Sequence, residues 1–328
     1  MEALDSKKIR FIVNPIAGHN SKESFPKLVE NFFDQGNAYY EIHFTHYAGH
    51  ATELANEAVR QNFDLVVAVG GDGTINEVAR CLIHSQAVLG IVPSGSGNGL
   101  ARHLNIPIDM EKALQIIREG HVVKIDTVKI NHEVFVSIAG VGFDALVAKH
   151  FAQDPNRGFF SYFKIVAAHY QRYKPEEYTL VLDNNKTIRT KALIISFANS
   201  NQFGYNTTIA PDASLNDGLL DVCIVKKPPL LEMPIIINLL FLKMIDKSKH
   251  VTIHKAHTVK LVRSAADVVN LDGEPVMMDE NLLAEVNPLS LNVIIPESRV
   301  DLNPTEALLE SFANTRDKIK DELMKIIS

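Results

Sequence analysis

Val66–Glu77 runs Val-Val-Ala-Val-Gly-Gly-Asp-Gly-Thr-Ile-Asn-Glu. The unbroken apolar start suits a strand buried on both faces, the pattern of a parallel sheet. The glycines at 70, 71 and 73 then let the backbone turn sharply and come close to a bulky anion. A helix beginning near Thr74 would aim its unpaired N–H groups and the positive end of its dipole at that anion. The competing explanation is a tight strand–helix turn that needs glycine for its backbone alone. A second glycine turn, Pro93-Ser94-Gly95-Ser96-Gly97-Asn98-Gly99, follows the next apolar run. By itself it is weak evidence; beside the first it argues for a phosphate cradle, with the Ser94 and Ser96 hydroxyls as donors. It is not a dinucleotide fingerprint, because Leu100 stands where G-x-G-x-x-G needs its last glycine. The P-loop G-x-x-x-x-G-K-[ST] and the protein-kinase H-R-D and D-F-G elements do not occur.

Outward from these turns, apolar runs and helix-period segments alternate. Ile9–Val13, Tyr40–Thr45, Asp64–Val69 and Ala87–Val92 read as strands. Lys27–Phe33, the segment around Ala51–Val59, Thr74–Ile83 and Met110–Arg118 read as helices. This predicts an α/β N-terminal domain, a parallel sheet with flanking helices, whose ligand sits at the carboxyl ends of the strands. From about Lys129 the text changes to short β-rich runs (Tyr178–Leu182, Ala192–Ala198, Leu219–Val225, Val259–Leu261, Val268–Leu271, Leu291–Ile295) separated by turn clusters. That predicts a β-rich sandwich as the C-terminal domain. The expected division is 1–128, 129–300 and a C-terminal helix over 301–328 that packs back on the body. Leu230–Met244 is apolar enough to touch a bilayer, but runs of this length are usually buried helices, and burial is the expectation here.

The chain has 328 residues, 33 Lys+Arg against 39 Asp+Glu, and a net charge of −6. That balance argues against a nucleic-acid partner held through phosphates. Two cysteines far apart, Cys81 and Cys223, exclude a disulfide framework and suit a reducing compartment. Met1–Arg10 is charged, so no signal peptide is expected, and no apolar run reaches the ~18 residues of a spanning helix. The expected setting is cytoplasmic, with transient peripheral membrane contact. The sequence leaves oligomeric state open, a homodimer included. His43, His46 and His50 do not share one helix face and are read as exposed or cleft-lining rather than as a metal site.

The sequence resembles the diacylglycerol kinase catalytic-domain family of lipid kinases, which includes bacterial diacylglycerol kinases, YegS-like lipid kinases and sphingosine kinases. Asn14-Pro15-Ile16-Ala17-Gly18 looks like its N-P-x-x-G opening, Gly70–Glu77 like its G-G-D-G-T-x-N-E core, and Pro93–Asn98 like its P-x-G-[ST]-x-N loop. Asp126 follows at the position of an I-D pair. Gly142-Phe143-Asp144 is similar to part of G-x-G-x-D-A, Asn216–Asp221 to its N-D-G metal loop, and Leu271–Glu274 to its D-G-E motif. The G-G-D-G-T element alone would be shared with NAD kinases and 6-phosphofructokinases; the ordered set is specific. Asn98 is followed by Gly99 where many relatives carry Asp, and the Gly-Ser-Gly-Asn stretch is closer to sphingosine kinases. In the bacterial enzymes that Asp joins an acidic, water-linked metal network, for which Asp72 and Asp126 remain here.

The resemblance implies an ATP-dependent lipid kinase that phosphorylates a lipid hydroxyl at the membrane surface, on a diacylglycerol, a sphingoid base or a related alcohol. It implies ATP contacts from Asn14, Pro15, Ile16, Ala17, Gly18, Thr45, Gly70, Gly71, Asp72, Gly73, Thr74, Ile75, Asn76 and Ser96. It implies Mg²⁺ at Ser214, Asp217 and Leu219, with Asp217 giving its carboxylate and the other two their carbonyls. Glu274 would accept the proton, with Asp272 beside it. These residue types suit the reaction. Phosphoryl transfer needs positioning and charge neutralisation, and an alcohol needs a carboxylate within hydrogen-bond reach. Plain turns are the competing explanation for Asp272–Glu274 and Asn216–Leu219 on composition alone, and Asp144 suits either a lipid head group or a helix cap. The alternatives are an NAD kinase-like small-molecule kinase and a nucleotide-binding regulator without catalysis.

Overall fold

A computed structural model describes residues 7–18, 24–33, 38–154 and 158–297. The expected helix over 301–328 lies outside the described residues. The N-terminal half runs β1 (Lys8–Val13), α1 (Phe25–Phe33), β2 (Tyr39–Phe44), α2 (His50–Arg60), β3 (Leu65–Gly70), α3 (Asp72–Leu82), β4 (Val88–Pro93), α4 (Gly99–His103) and α5 (Met110–Glu119). Strands β2-β1-β3-β4 form a parallel sheet in that order. β3 is buried along its whole length, which is why Leu65–Gly70 shows no apolar–polar alternation. α2, α3 and α5 turn apolar faces to the same core, through Leu54, Val78 and Leu114 among others.

The second half runs β5 (His121–Ile130), β6 (Glu133–Phe135), β7 (Ile138–Gly142), α6 (Phe143–Gln153), α7 (Phe159–Tyr170), β8 (Glu176–Leu182), β9 (Lys186–Ala192), β10 (Ile194–Ala198), β11 (Gln202–Gly204), β12 (Thr207–Thr208) and β13 (Leu220–Val225). It continues through α8 (Met233–Phe241), β14 (Val251–Ala256), β15 (Thr258–Val262), β16 (Asp267–Leu271), β17 (Glu274–Met278) and β18 (Asn281–Ile295). One antiparallel sheet has the order β14-β13-β10-β7-β16-β17. The other contains β5, β18, β15, β8 and β9. Phe197, Val222 and Leu271 of the first meet Leu180, Leu261 and Ala284 of the second in one core. The fold is therefore an α/β N-terminal domain with a β-sandwich C-terminal domain. β18 joins the two, because its end pairs parallel with β4, Asn292 opposite Val88.

Leu230–Met244 corrects the expectation of a buried helix. The stretch is a 3₁₀ turn over Leu230–Glu232 followed by α8, and of α8 only Ile236 is buried. Leu231 is 93% exposed and Ile235 60%. Among the described residues, no helix is long and apolar enough to cross a membrane.

Candidate functional site

Three parallel strands end side by side, and each ends in a turn. The Asn14 N–H donates to the Val69 carbonyl at 2.9 Å, and the Ser94 N–H to that of Gly70 at 2.7 Å. The turns Asn14–Gly18, Gly70–Gly73 and Ser94–Gly97 are thus locked edge to edge at the carboxyl end of the sheet. The Thr45 N–H donates to Val13 at 2.8 Å and brings the end of β2 alongside. Side chains reinforce the join. Asn14 Nδ2 donates to Thr74 Oγ1 at 3.1 Å, and the Ser94 hydroxyl to the Ala17 carbonyl at 3.2 Å. A Cβ on Gly95 would fall 2.5 Å from Gly71 Cα, so the turns Gly70–Gly73 and Ser94–Gly97 approach at a distance only glycine allows.

α3 begins at Asp72 without a side-chain cap hydrogen bond, which leaves its first-turn N–H groups for a ligand. The Asp72 carboxylate itself turns sideways. It accepts from the Asn98 and Gly99 N–H groups at 2.8 and 2.7 Å and so holds the second turn to the first. Burial pushes the Asp72 carboxyl up, and those two N–H groups pull it down. Ile75 is in the hydrophobic core, leaving only its backbone for a ligand, whereas Ile16 is 87% exposed. The Ser96 hydroxyl accepts from the Tyr205 hydroxyl at 2.8 Å. A Cβ on Gly99 would lie 3.1 Å from the Gln202 carbonyl, so β11 crowds this position.

The sandwich domain reaches this cradle through the β16–β17 hairpin. Asp272 (φ 50°) and Gly273 (φ 95°) are its two-residue turn, the left-handed geometry that Asp-Gly favours. The Asp272 carboxylate accepts from the N–H groups of Val136, Ser137 and Ile138, each at 2.8 Å, and from Asn76 Nδ2 of α3. Burial pushes its carboxyl up to about 6, against the pull of those N–H groups. Four donors aimed at one carboxylate match the ionised, accept-only form.

Glu274 differs. Its carboxylate makes no hydrogen bond among the described residues, is half-buried, and lies over the start of α3, where a Cβ on Gly73 would be 3.2 Å from Oε1. Burial raises its carboxyl above the usual range, with the Arg80 guanidinium opposing. One wall beyond the hairpin carries Asp144, whose Oδ2 accepts from Asn270 Nδ2 at 2.8 Å and whose carboxyl burial pushes up to about 6.

Ser214, Asp217 and Leu219 form a separate loop, whose hydrogen bonds run to β14 and β5 rather than to the glycine turns. Asp217 Oδ1 accepts from the Leu219 N–H at 3.1 Å, and Oδ2 pairs with Lys255 Nζ at 3.0 Å. Lys255 also pairs with Asp221 at 2.9 Å. Asp126, buried beneath, accepts from the Gly218 and Leu289 N–H groups at 2.8 and 2.7 Å. The groups the loop could offer a cation are oxygens, the Asp217 carboxylate and the carbonyls of Ser214 and Leu219, which suits a hard divalent ion, with Lys255 as a competitor for Oδ2. Among the described residues there is no group of three His, Cys, Asp or Glu side chains placed to hold a metal. The His43 ring pairs with Glu41 at 3.0 Å, and the His46 and His50 rings stack.

Sequence reasoning missed Tyr205, Lys255 and Arg80. None of them stands in a motif, and each is brought to its partners by strand pairing or helix packing that no local spacing announces.

Residues 8–130 match the family model described as Diacylglycerol kinase catalytic domain, and residues 136–295 that of the YegS C-terminal NAD kinase beta sandwich-like domain. A diacylglycerol kinase of Bacillus subtilis (strain 168) is 32% identical over 276 residues, 82% of this chain and 90% of the relative. One of Staphylococcus aureus (strain MRSA252) is 31% identical over 278 residues, 82% of this chain and 86% of that protein. A crystal structure of a diacylglycerol kinase from Bacillus anthracis str. Sterne superposes with a TM-score of 0.70 at 20% identity, over 89% of this chain and 97% of that one. An NAD kinase from Archaeoglobus fulgidus in complex with ATP shares the fold at a TM-score of 0.53 and 14% identity, over 92% of this chain and 98% of that one.

Proposed function

Because the chain belongs to the diacylglycerol kinase catalytic-domain family, we propose that it transfers the γ-phosphate of ATP to the hydroxyl of a lipid alcohol. The observation that carries this reading is the position of Glu274, an unengaged carboxylate over the open N-terminus of α3, between the glycine turns and the sandwich. In this reading the turns Asn14–Gly18, Gly70–Gly73 and Ser94–Gly97 receive the ATP phosphates through backbone N–H groups, and Thr45, Thr74 and Asn76 line the same end of the sheet. Glu274 accepts the proton of the lipid hydroxyl as that oxygen attacks phosphorus. Its raised pKa brings it nearer the pH at which a base is most effective. Asp272 does not compete for that role, because its oxygens are taken by three N–H groups and Asn76. It fixes the hairpin against α3 and so aims Glu274.

Magnesium would neutralise charge on the polyphosphate. The Asn216–Leu219 loop offers it Asp217 and the carbonyls of Ser214 and Leu219, a site suited to ordering the loop. An NAD kinase-like activity is the second reading, supported by the shared fold alone.

The test is transfer of label from γ-labelled ATP, with Mg²⁺, to vesicles carrying diacylglycerol, a sphingoid base or phosphatidylglycerol in separate reactions. Label in a lipid product supports the reading; label in none of the three, from a protein that binds ATP, counts against it.

A further inference from the structure

We propose that the outer face of residues 226–250, built on α8, docks on an anionic lipid bilayer. α8 has nine residues, about 14 Å of helix against the ~30 Å of a bilayer core, so it is far too short to span. Its water-facing stripe nevertheless reads Leu231, Pro234, Ile235, Asn238 and Leu242, all exposed at helical spacing. A helix packed on a soluble body ordinarily turns polar residues outward along such a stripe. Here the outward stripe is apolar except for Asn238, and it continues into exposed Leu230 and Met244.

Charge chooses the partner. Residues 226–250 hold five lysines against two carboxylates. Both carboxylates are already paired, Glu232 with Lys249 and His250, and Asp246 with Lys247. Lys226 and Lys243 make no ion pair among the described residues. The neighbouring stretch 158–174 adds Lys164, Arg172 and Lys174 with no carboxylate, and exposed Phe160. The two stretches are joined: the Tyr170 hydroxyl donates to the Pro228 carbonyl at 2.5 Å, and Lys227 Nζ to the carbonyls of Gln171 and Tyr173 at 3.2 and 2.8 Å. A basic, apolar face on a chain of net charge −6 matches the chemistry of an interfacial helix on anionic lipid. The same wall borders the cradle, since the Tyr162 ring of α7 lies tilted beside that of Tyr205, centroids 6.3 Å apart, and Tyr205 holds Ser96. Docking would therefore bring the site to the lipid surface. The biological sense of this rests on the lipid-kinase reading, but binding can be measured without catalysis, so the two fail separately.

The experiment is sedimentation of the full chain, without ATP, with vesicles of phosphatidylcholine alone and with added phosphatidylglycerol. Wild type should sediment with the anionic vesicles and be released by salt. The double variant Leu231→Glu, Ile235→Glu should lose about tenfold or more of that binding, and Lys226→Glu, Lys243→Glu should lose its preference for phosphatidylglycerol. Thermal unfolding and ATP affinity of both variants should stay at wild-type values, because the altered side chains face water. Three results overturn the proposal: no vesicle binding by wild type, undiminished binding by Leu231→Glu, Ile235→Glu, or a lowered melting temperature in that variant. The last would mean that protein, from this chain or a second copy, covers the face.

Discussion

Asp272 and Glu274 are two residues apart in one hairpin, yet their surroundings assign them different work. Four donors hold Asp272, and an Asn there would turn an NH₂ toward N–H groups that need an acceptor. Asp272→Asn should therefore cost about 2–4 kcal/mol of stability in urea unfolding, lowering activity through loss of folded protein. Glu274→Gln keeps shape and takes no proton. It should leave stability and ATP affinity near wild type while kcat falls ~10²–10⁴-fold. The pH dependence carries a sign. A base must be ionised, and burial raises the Glu274 pKa, so kcat/KM should fall on the acid side at a higher pH than for an exposed glutamate. An acid limb at the ordinary glutamate value would remove Glu274 from the role. Both carboxylates were legible in the sequence as a pair. Their division of labour was not, because it depends on the Val136–Ile138 backbone, which lies over 130 residues away and is brought in by β7–β16 pairing.

At the scale of elements, the close approach of Gly71 and Gly95 makes the two glycine turns one unit. Gly71→Val would press a side chain on Gly95, where a Cβ already lies 3.1 Å from its Cα. Calorimetry on the folded variant should show ATP affinity reduced about tenfold or more, with ~1–3 kcal/mol lost in stability from overpacking. Unchanged affinity would take the turn out of the site. The Asn216–Leu219 loop makes a separate prediction. If Mg²⁺ binds there, it should raise the melting temperature of the wild-type protein by linkage, and Asp217→Ala should abolish that rise; an equal rise in both would place the ion elsewhere. Apart from α4, a five-residue helix where the sequence suggested only the end of a glycine turn, the elements of the first half were readable because periodicity and glycine stops coincide from β1 to α5. α8 was misread because an apolar helix is normally a buried one, and sequence composition does not say which side of such a helix meets water. β5 and β18 were harder still. Each alternates buried and exposed residues only in part, since β5 pairs with β18 and β6, and β18 with β4, β5 and β15, along their lengths.

The whole molecule presents its chemistry at a junction. The parallel sheet supplies the glycine turns, the sandwich supplies the hairpin with Glu274, and the Asn76–Asp272 hydrogen bond ties one to the other across 196 residues of sequence. The α/β-plus-sandwich architecture followed from the change of pattern near Lys129, whereas the return of β18 to β4 left no local trace. The same architecture serves relatives named diacylglycerol kinase and an NAD kinase, so the acceptor decides the account. The decisive measurement is a competition: γ-labelled ATP and Mg²⁺, diacylglycerol vesicles and free NAD in one reaction, with the label followed into the organic and aqueous phases, for wild type and Glu274→Gln. The account predicts label in the organic phase with wild type and a ~10²–10⁴-fold slower transfer with Glu274→Gln. Label carried onto NAD, or transfer to lipid that Glu274→Gln leaves untouched, would contradict it.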